Sequence, residues 1–269
     1  MHILETDGLI VDDVEAVVNQ VGSAGTTMEL VDASQSDLHT AVDSNGSIVV
    51  QTIDGDISLN DGTAPANELA LDADGEGHVR LEAGGSGSGV AIGAGIETGS
   101  GSMTLIAGGG IEFGGSADVH SDGGTIDLEA QGGSVIMADG TSVVTGGGNL
   151  RYVATQDVAL ARVDVGSGEV SVVADNGNIT DNGDSAEGIR AEAIRLVAAG
   201  NVGSPAGVGN GHIDASVHKM SALASGESGI FLTNNPSLLV GAVGPAPVDR
   251  VQSDATTVEE SDMVSLSDV

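Results

Sequence analysis

Ten residues decide the reading of this chain: Gly124-Thr125-Ile126-Asp127-Leu128-Glu129-Ala130-Gln131-Gly132-Gly133. Apolar Ile126, Leu128 and Ala130 alternate with polar neighbours, the period of two that sends successive side chains to opposite faces of a strand. Glycines on both sides mark turns. The pattern recurs at Leu69-Ala70-Leu71-Asp72-Ala73, Met103-Thr104-Leu105-Ile106-Ala107, Leu150-Arg151-Tyr152-Val153-Ala154, Val170-Ser171-Val172-Val173-Ala174 and Ile194-Arg195-Leu196-Val197-Ala198, with looser copies starting at Met28, Ile48 and Met220. Successive starts at 28, 48, 69, 103, 126, 150, 170, 194 and 220 define a unit of 20 to 26 residues, with one longer unit of 34 between 69 and 103.

Most units hold a second short strand, as at Gly55–Leu59, His78–Leu81, Ile111–Phe113, Ser134–Met137 and Ile230–Leu232. Several hold a third, as at Val90–Ile92, Ala117–His120, Ser142–Val144, His212–Asp214 and Ser237–Val240. Asp-Gly and Asn-Gly pairs between them supply turns. A β-sandwich would use the same turns, at strand spacings of about 8 to 12 residues. A parallel β-helix demands more, because equivalent residues of successive coils must stack. Alanine at the fifth position, in Ala73, Ala107, Ala130, Ala154, Ala174 and Ala198, meets that demand. The expectation is therefore all-β: a parallel β-helix, or solenoid, of about nine coils, with Asp127, Glu129, Arg151, Ser171 and Arg195 pointing outward.

The ends differ from the middle. Val14, Val17, Val18 and Val21 fall at helical spacing behind Asp12 and Asp13, which the helix dipole favours near a start. Residues 1–26 are read as a cap with a short helix covering the first coil, 27–241 as the repeat domain, and 242–269 as a linker or flexible acidic tail that begins at Gly244-Pro245-Ala246-Pro247.

Composition removes several function classes. The 269 residues include 43 Gly, no Cys, no Trp, one Tyr and two Phe, and 40 Asp+Glu face 7 Lys+Arg for a net charge of -33. So few aromatics argue against a wide α/β enzyme core. The charge repels phosphate backbones and anionic lipid, so nucleic acid is not an expected partner. No apolar run of about 18 residues suggests membrane insertion. Met1–Asp7 lacks the basic and apolar regions of a secretory signal.

The quoted segment is similar to the Gly-x-Ile-x-Leu-x-Ala-x-Gly-Gly unit of filamentous haemagglutinin-like proteins, the very large repetitive surface proteins and exoproteins of bacteria. Asp175-Asn176-Gly177-Asn178-Ile179-Thr180-Asp181-Asn182 resembles another of their phrases. Ile194-Arg195-Leu196-Val197-Ala198-Ala199-Gly200-Asn201-Val202-Gly203-Ser204, followed by Ile213-Asp214 and Gly229-Ile230-Phe231-Leu232, keeps their order. The resemblance covers about 46 to 241. It implies a right-handed parallel β-helix, an extracellular or cell-surface location, and work as a stalk or adhesion surface toward glycans or cell-surface receptors. The family's amino-terminal secretion motif of Asn-Pro-Asn-Gly type is not matched by Asn234-Asn235-Pro236-Ser237, so the chain reads as an internal tract.

Right-handed β-helices also carry polysaccharide lyases and hydrolases, so catalytic residues need weighing. A lyase needs a base beside an acidic sugar. Arg151 and Arg195 share the second position of the same strand and one outer face. Single arginines also simply offset acidic surface, and that plainer role is expected here, with no catalytic site. Calcium is the better chemical candidate: Asp72-Ala73-Asp74-Gly75-Glu76 places oxygen ligands at alternate positions around a glycine, and Asp181-Asn182-Gly183-Asp184 is a second acidic turn. The expected ligands are Asp72, Asp74, Glu76, Asp181 and Asp184, binding weakly and competing with the reading of plain solvated turns. The six histidines show no zinc spacing. Open coil ends also permit end-to-end self-association into a filament.

Overall fold

The computed structural model describes residues 1–63, 67–115, 117–182, 188–205 and 211–261. Every regular element among them is a β-strand. The strands form three stacked faces of a parallel β-solenoid. The first face stacks His2–Glu5, Ile48–Thr52, Val79–Ala83, Met103–Ala107, Ile126–Ala130, Leu150–Ala154 and Glu169–Ala174, then the later halves of Ile189–Ala198 and Ile213–Ala224, and finally Leu239–Val240. The second face is a seven-stranded sheet: Leu9–Val11, Ile57–Leu59, Val90–Ile92, Ile111–Phe113, Val135–Met137, Val158–Leu160 and Ile179–Asp181. The third runs from Leu38–His39 through Leu69–Ala73, Gly95–Thr98, Asp118–Ser121, Ser142–Val144 and Arg162–Asp164 to the early halves of Ile189–Ala198 and Ile213–Ala224, and ends at Leu232–Asn234.

The coils number about seven, not nine, because seven turns carry a strand on all three faces. In the two that follow, the second face shrinks to single bridges at Val202 and Ile230. Register is strict where the repeat is cleanest: Met103, Ile126, Leu150, Val170, Ile194 and Met220 lie one above another, as do Ala107, Ala130, Ala154, Ala174, Ala198 and Ala224. These stacks fill the interior, and all but Ala224 are buried. Apolar burial stabilises at about 25 cal/mol per Å².

One expected unit is out of phase. Leu69–Ala73 fits the repeat pattern but pairs with Gly95–Thr98 on the third face, whereas Val79–Ala83, expected as a secondary strand, sits in the first-face ladder with Met103–Ala107. Both segments alternate correctly, so periodicity alone does not assign the face. The long unit therefore lies between Ile48 and Val79 and not between 69 and 103.

The expected capping helix does not form. Val17–Val21 is a strand, paired antiparallel with Thr27–Val31 around the Gly22–Gly25 turn. β-Branched valines lose side-chain freedom in a helix and suit a pleated strand. This hairpin is inserted between the second-face and third-face strands of the first coil, anchored by the Val14–Gln35 bridge, and all its positions are exposed.

Glycine content follows from the corner between third and first faces. A methyl group built on Gly77, Gly101, Gly124, Gly148 or Gly168 would lie 2.1, 1.8, 1.9, 2.1 or 2.3 Å from the carbonyl oxygen of the preceding glycine in the stack, which begins at Gly46. The chain turns too tightly there for any side chain. Hydroxyls close the same corner: Thr98 donates to Gly101 O at 2.9 Å, Ser121 to Gly101 O at 3.0 Å and Thr145 to Gly148 O at 2.5 Å. Across the solenoid, at the turn from first to second face, a polar ladder does similar work. Asn178 N donates to Asp157 Oδ1 at 2.7 Å, Asn201 N to Asn178 Oδ1 at 2.9 Å, and Gly229 N to Asn201 Oδ1 at 3.0 Å.

Forcing a side chain into a packed interior costs about 1 to 3 kcal/mol and sometimes more. Gly124→Ala is expected to reach the upper end or beyond, because the obstructing atom is backbone. Gly115→Ala, where a methyl group meets nothing within 4 Å, is the neutral control. Urea unfolding of the two variants makes the comparison.

Candidate functional site

The outward side of the first face carries the chain's densest charge chemistry. Its second strand positions form one row: Arg80, Thr104, Asp127, Arg151, Ser171, Arg195 and Ser221. These side chains point away from the apolar interior, as expected, yet none is solvated. Exposure is 0 % at Asp127, 2 % at Arg151 and 4 % at Arg195.

The cover is the segment expected to be a loose tail. Val248–Val251 pairs antiparallel with Thr257–Glu260, and the stretch from Val243 runs back across the strands toward the third coil. Ser221 Oγ donates to Val243 O at 3.4 Å and Asn149 Nδ2 to Pro247 O at 2.8 Å. Asp249 N donates to Thr125 Oγ1 at 2.8 Å, Val251 N to Thr104 Oγ1 at 2.8 Å, and Arg80 Nη1 to Val251 O at 2.5 Å. Pro245 and Pro247 fix φ near the extended value and bias the residues before them the same way. The eight steps from Val243 to Val251 reach about 27 Å extended, against about 29 Å for six interstrand spacings. Length and stiffness therefore match the row. Val243, Ala246, Val248 and Val251 are buried against it. Acidity suggested a solvated tail, but these four apolar contacts and one arginine outweigh it over 243–261; 262–269 lie outside the described residues.

That arginine is Arg250. Its Nε donates to Asp127 Oδ2 at 2.7 Å, its Nη2 bonds Glu129 Oε2, and Glu260 lies 3.6 Å from Nη1. Arg151 Nη1 reaches the same carboxylates, at 2.7 Å to Asp127 Oδ1 and 3.5 Å to Glu129 Oε2. Two guanidiniums thus enclose two carboxylates in a site shielded from water, where charge-assisted bonds are strong and an unmatched charge is costly. Burial alone would raise the Glu129 carboxyl, but hydrogen bonds from Gln131 and Arg250 and the charges of Arg250 and Arg151 outweigh it and hold Glu129 below its ordinary 4.5. Burial likewise lowers Arg250, and the Asp127 and Glu129 carboxylates overcome it to leave the guanidinium more basic than usual. At Arg195 burial lowers the value, and its Nη1 donates to Ser171 Oγ at 3.4 Å.

Among the described residues, the expected calcium ligands Asp72, Asp74, Glu76 and Asp181 belong to no group of three acidic or histidine side chains. Asp72 lies on the third face beside His39 and Glu97. Burial raises its carboxyl, the charges of Glu97 and Asp74 add to the rise, and His39 opposes it. The turn at Asp74 and Glu76 is held to the previous coil through backbone, with Asp74 N donating to Thr40 Oγ1 at 2.9 Å and Glu76 N to Asn45 Oδ1 at 3.0 Å. Asp181 ends a second-face strand five coils away and accepts from Asp214 N at 3.4 Å. Asp184 lies outside the described residues. Among the described residues, no three His, Asp or Glu side chains converge on a point where an ion could sit.

Sequence reasoning located Arg151, Arg195 and Asp127 on one row but missed what closes it. A signal existed: Arg250 is the one basic residue after Lys219, set between Val248 and Val251.

Fold and site together define a β-solenoid whose charged face is strapped by its own C-terminal segment. No family model, no curated protein and no solved structure matches the chain.

Removing one partner from a buried ion pair typically costs about 3 to 5 kcal/mol. Arg250→Ala is expected at about 3 kcal/mol, since Arg151 still faces Asp127, and denaturant unfolding measures it. Glu129 adds a pH dependence of definite sign. Its depressed value means that its contribution is complete above 4.5 and is lost as pH falls through the lower folded value. The Glu129 contribution to the melting temperature should therefore hold level from neutral pH down to about 5 and fall below that. Glu129→Gln should flatten the fall.

Proposed function

We propose that the chain is a structural or adhesive β-solenoid segment of a secreted or cell-surface bacterial protein, serving as stalk or adhesion surface. The observation that carries the reading is the strap: it covers Arg151 and Arg195, the residues on which a catalytic role would rest. Polar chemistry elsewhere serves coil-to-coil contact, in the glycine corner and in the Asp157, Asn178 and Asn201 ladder. The repeat phrases support a filamentous haemagglutinin-like origin, and the right hand favoured by parallel crossovers agrees with it. With a net charge of -33, neutral glycans or basic patches on surface receptors suit its exposed second and third faces.

A second reading, an end-to-end filament subunit, has one observation in its favour. Among the described residues, the first strand of the first-face ladder, His2–Glu5, pairs on one side only, and so does the last, Leu239–Val240.

Binding of neutral glycans without turnover is expected when the full chain is screened against acidic and neutral polysaccharides. Cleavage of any of them would overturn the proposal in favour of a polysaccharide-active enzyme. Electron microscopy under the same conditions should show single rods; long fibres would favour the filament.

A further inference from the structure

The strap is a ligand of the solenoid in all but covalent connection. Among the described residues it forms no ladder with any solenoid strand: Val248–Val251 pairs there with Thr257–Glu260 alone, and its hold on the row is by side chains and isolated hydrogen bonds. It can therefore leave without unpairing a coil. It joins the solenoid at Gly241-Ala242, between the last first-face strand, Leu239–Val240, and the buried Val243.

Charge makes the row selective. Of the 7 Lys+Arg in the chain, Arg80, Arg151 and Arg195 line this one row. Asp127 and Glu129 sit within it as a carboxylate pair that takes a guanidinium. The matching ligand is an extended acidic strand with one central arginine and apolar residues beside it. Val248-Asp249-Arg250-Val251, with Asp254, Glu259 and Glu260 following, is that strand. With Arg80 paired to Glu82 and Arg151 to Asp127 and Glu129, this lining is close to neutral, so on a chain of net charge -33 an acidic segment of another copy meets less repulsion here than elsewhere and brings the arginine that Asp127 and Glu129 take.

We propose that the outward row of the first face is an acceptor groove for this strap in trans as well as in cis, and that two copies of the chain pair by exchanging straps. Each strap makes in its partner's groove the contacts it makes in its own, so exchange loses no interaction and yields a closed, two-fold dimer. The inference stands whether or not the rod carries an adhesive ligand.

The natural chain has no cysteine, so placed thiols report contacts without background. Asp249 N lies 2.8 Å from Thr125 Oγ1. Full chains carrying only Thr125→Cys or only Asp249→Cys are mixed at high concentration, held in urea below the unfolding transition to loosen the straps, returned to buffer and oxidised. Exchange predicts a disulfide-linked species of twice 26.3 kDa in the mixture, well above what either variant gives alone. It also predicts that adding Arg250→Glu to the Asp249→Cys chain abolishes that species. A mixture that stays at 26.3 kDa, or cross-linking that Arg250→Glu leaves unchanged, would overturn the proposal. The double variant Thr125→Cys/Asp249→Cys is the internal control: it must form an intrachain disulfide if the strap lies where the structure places it, which separates a failure of exchange from a failure of the strap itself.

Discussion

Parallel strands stacked in register at about 4.8 Å impose one condition on every part of this molecule: whatever a residue is, its equivalent in the next coil lies directly above it. Small over small and apolar over apolar satisfy that condition in the interior. At the tight corner only glycine satisfies it, since each glycine of the 77, 101, 124, 148 and 168 column abuts the carbonyl of the one beneath. A chain with 43 glycines and three aromatics is therefore suited to a narrow stack and poorly suited to a broad core.

The same condition makes charge hard to place. Like charges at equivalent positions would sit closer than the ~8 Å screening length at physiological salt. The first-face row avoids this by alternation: Arg80, Thr104, Asp127, Arg151, Ser171 and Arg195 bring opposite or neutral groups into succession. Arg250 then completes the neutralisation of Asp127 and Glu129 from outside. The order of charges along one column thus explains both why the row tolerates burial and why its cover must carry an arginine.

Much of the fold was legible because stacking leaves a periodic trace, as in the alanine column and the alternation of Ile126–Ala130. What was not legible has a common cause. Leu69–Ala73 and Val79–Ala83 carry the same pattern, and only the three-dimensional path assigns them to different faces. Val14, Val17, Val18 and Val21 suit helical spacing, but Gly22 and Gly25 bring Thr27–Val31 alongside and the valines pair across. The strap is the extreme case. Its partners Thr104, Thr125, Asp127 and Glu129 lie more than 100 residues away and become a single surface only after the coils stack. Local acidity pointed to solvent; the contacts that overrule it are non-local.

Amide hydrogen exchange at Asp249 and Val251 in the full chain tests most directly whether the C-terminal segment closes the charged row. Both amides donate to threonine hydroxyls on the first face. If the strap is part of the folded solenoid, they exchange far more slowly than an unstructured peptide at neutral pH and lose that protection together in Arg250→Ala. Exchange at the rate of an unstructured peptide in the unaltered chain would contradict the account.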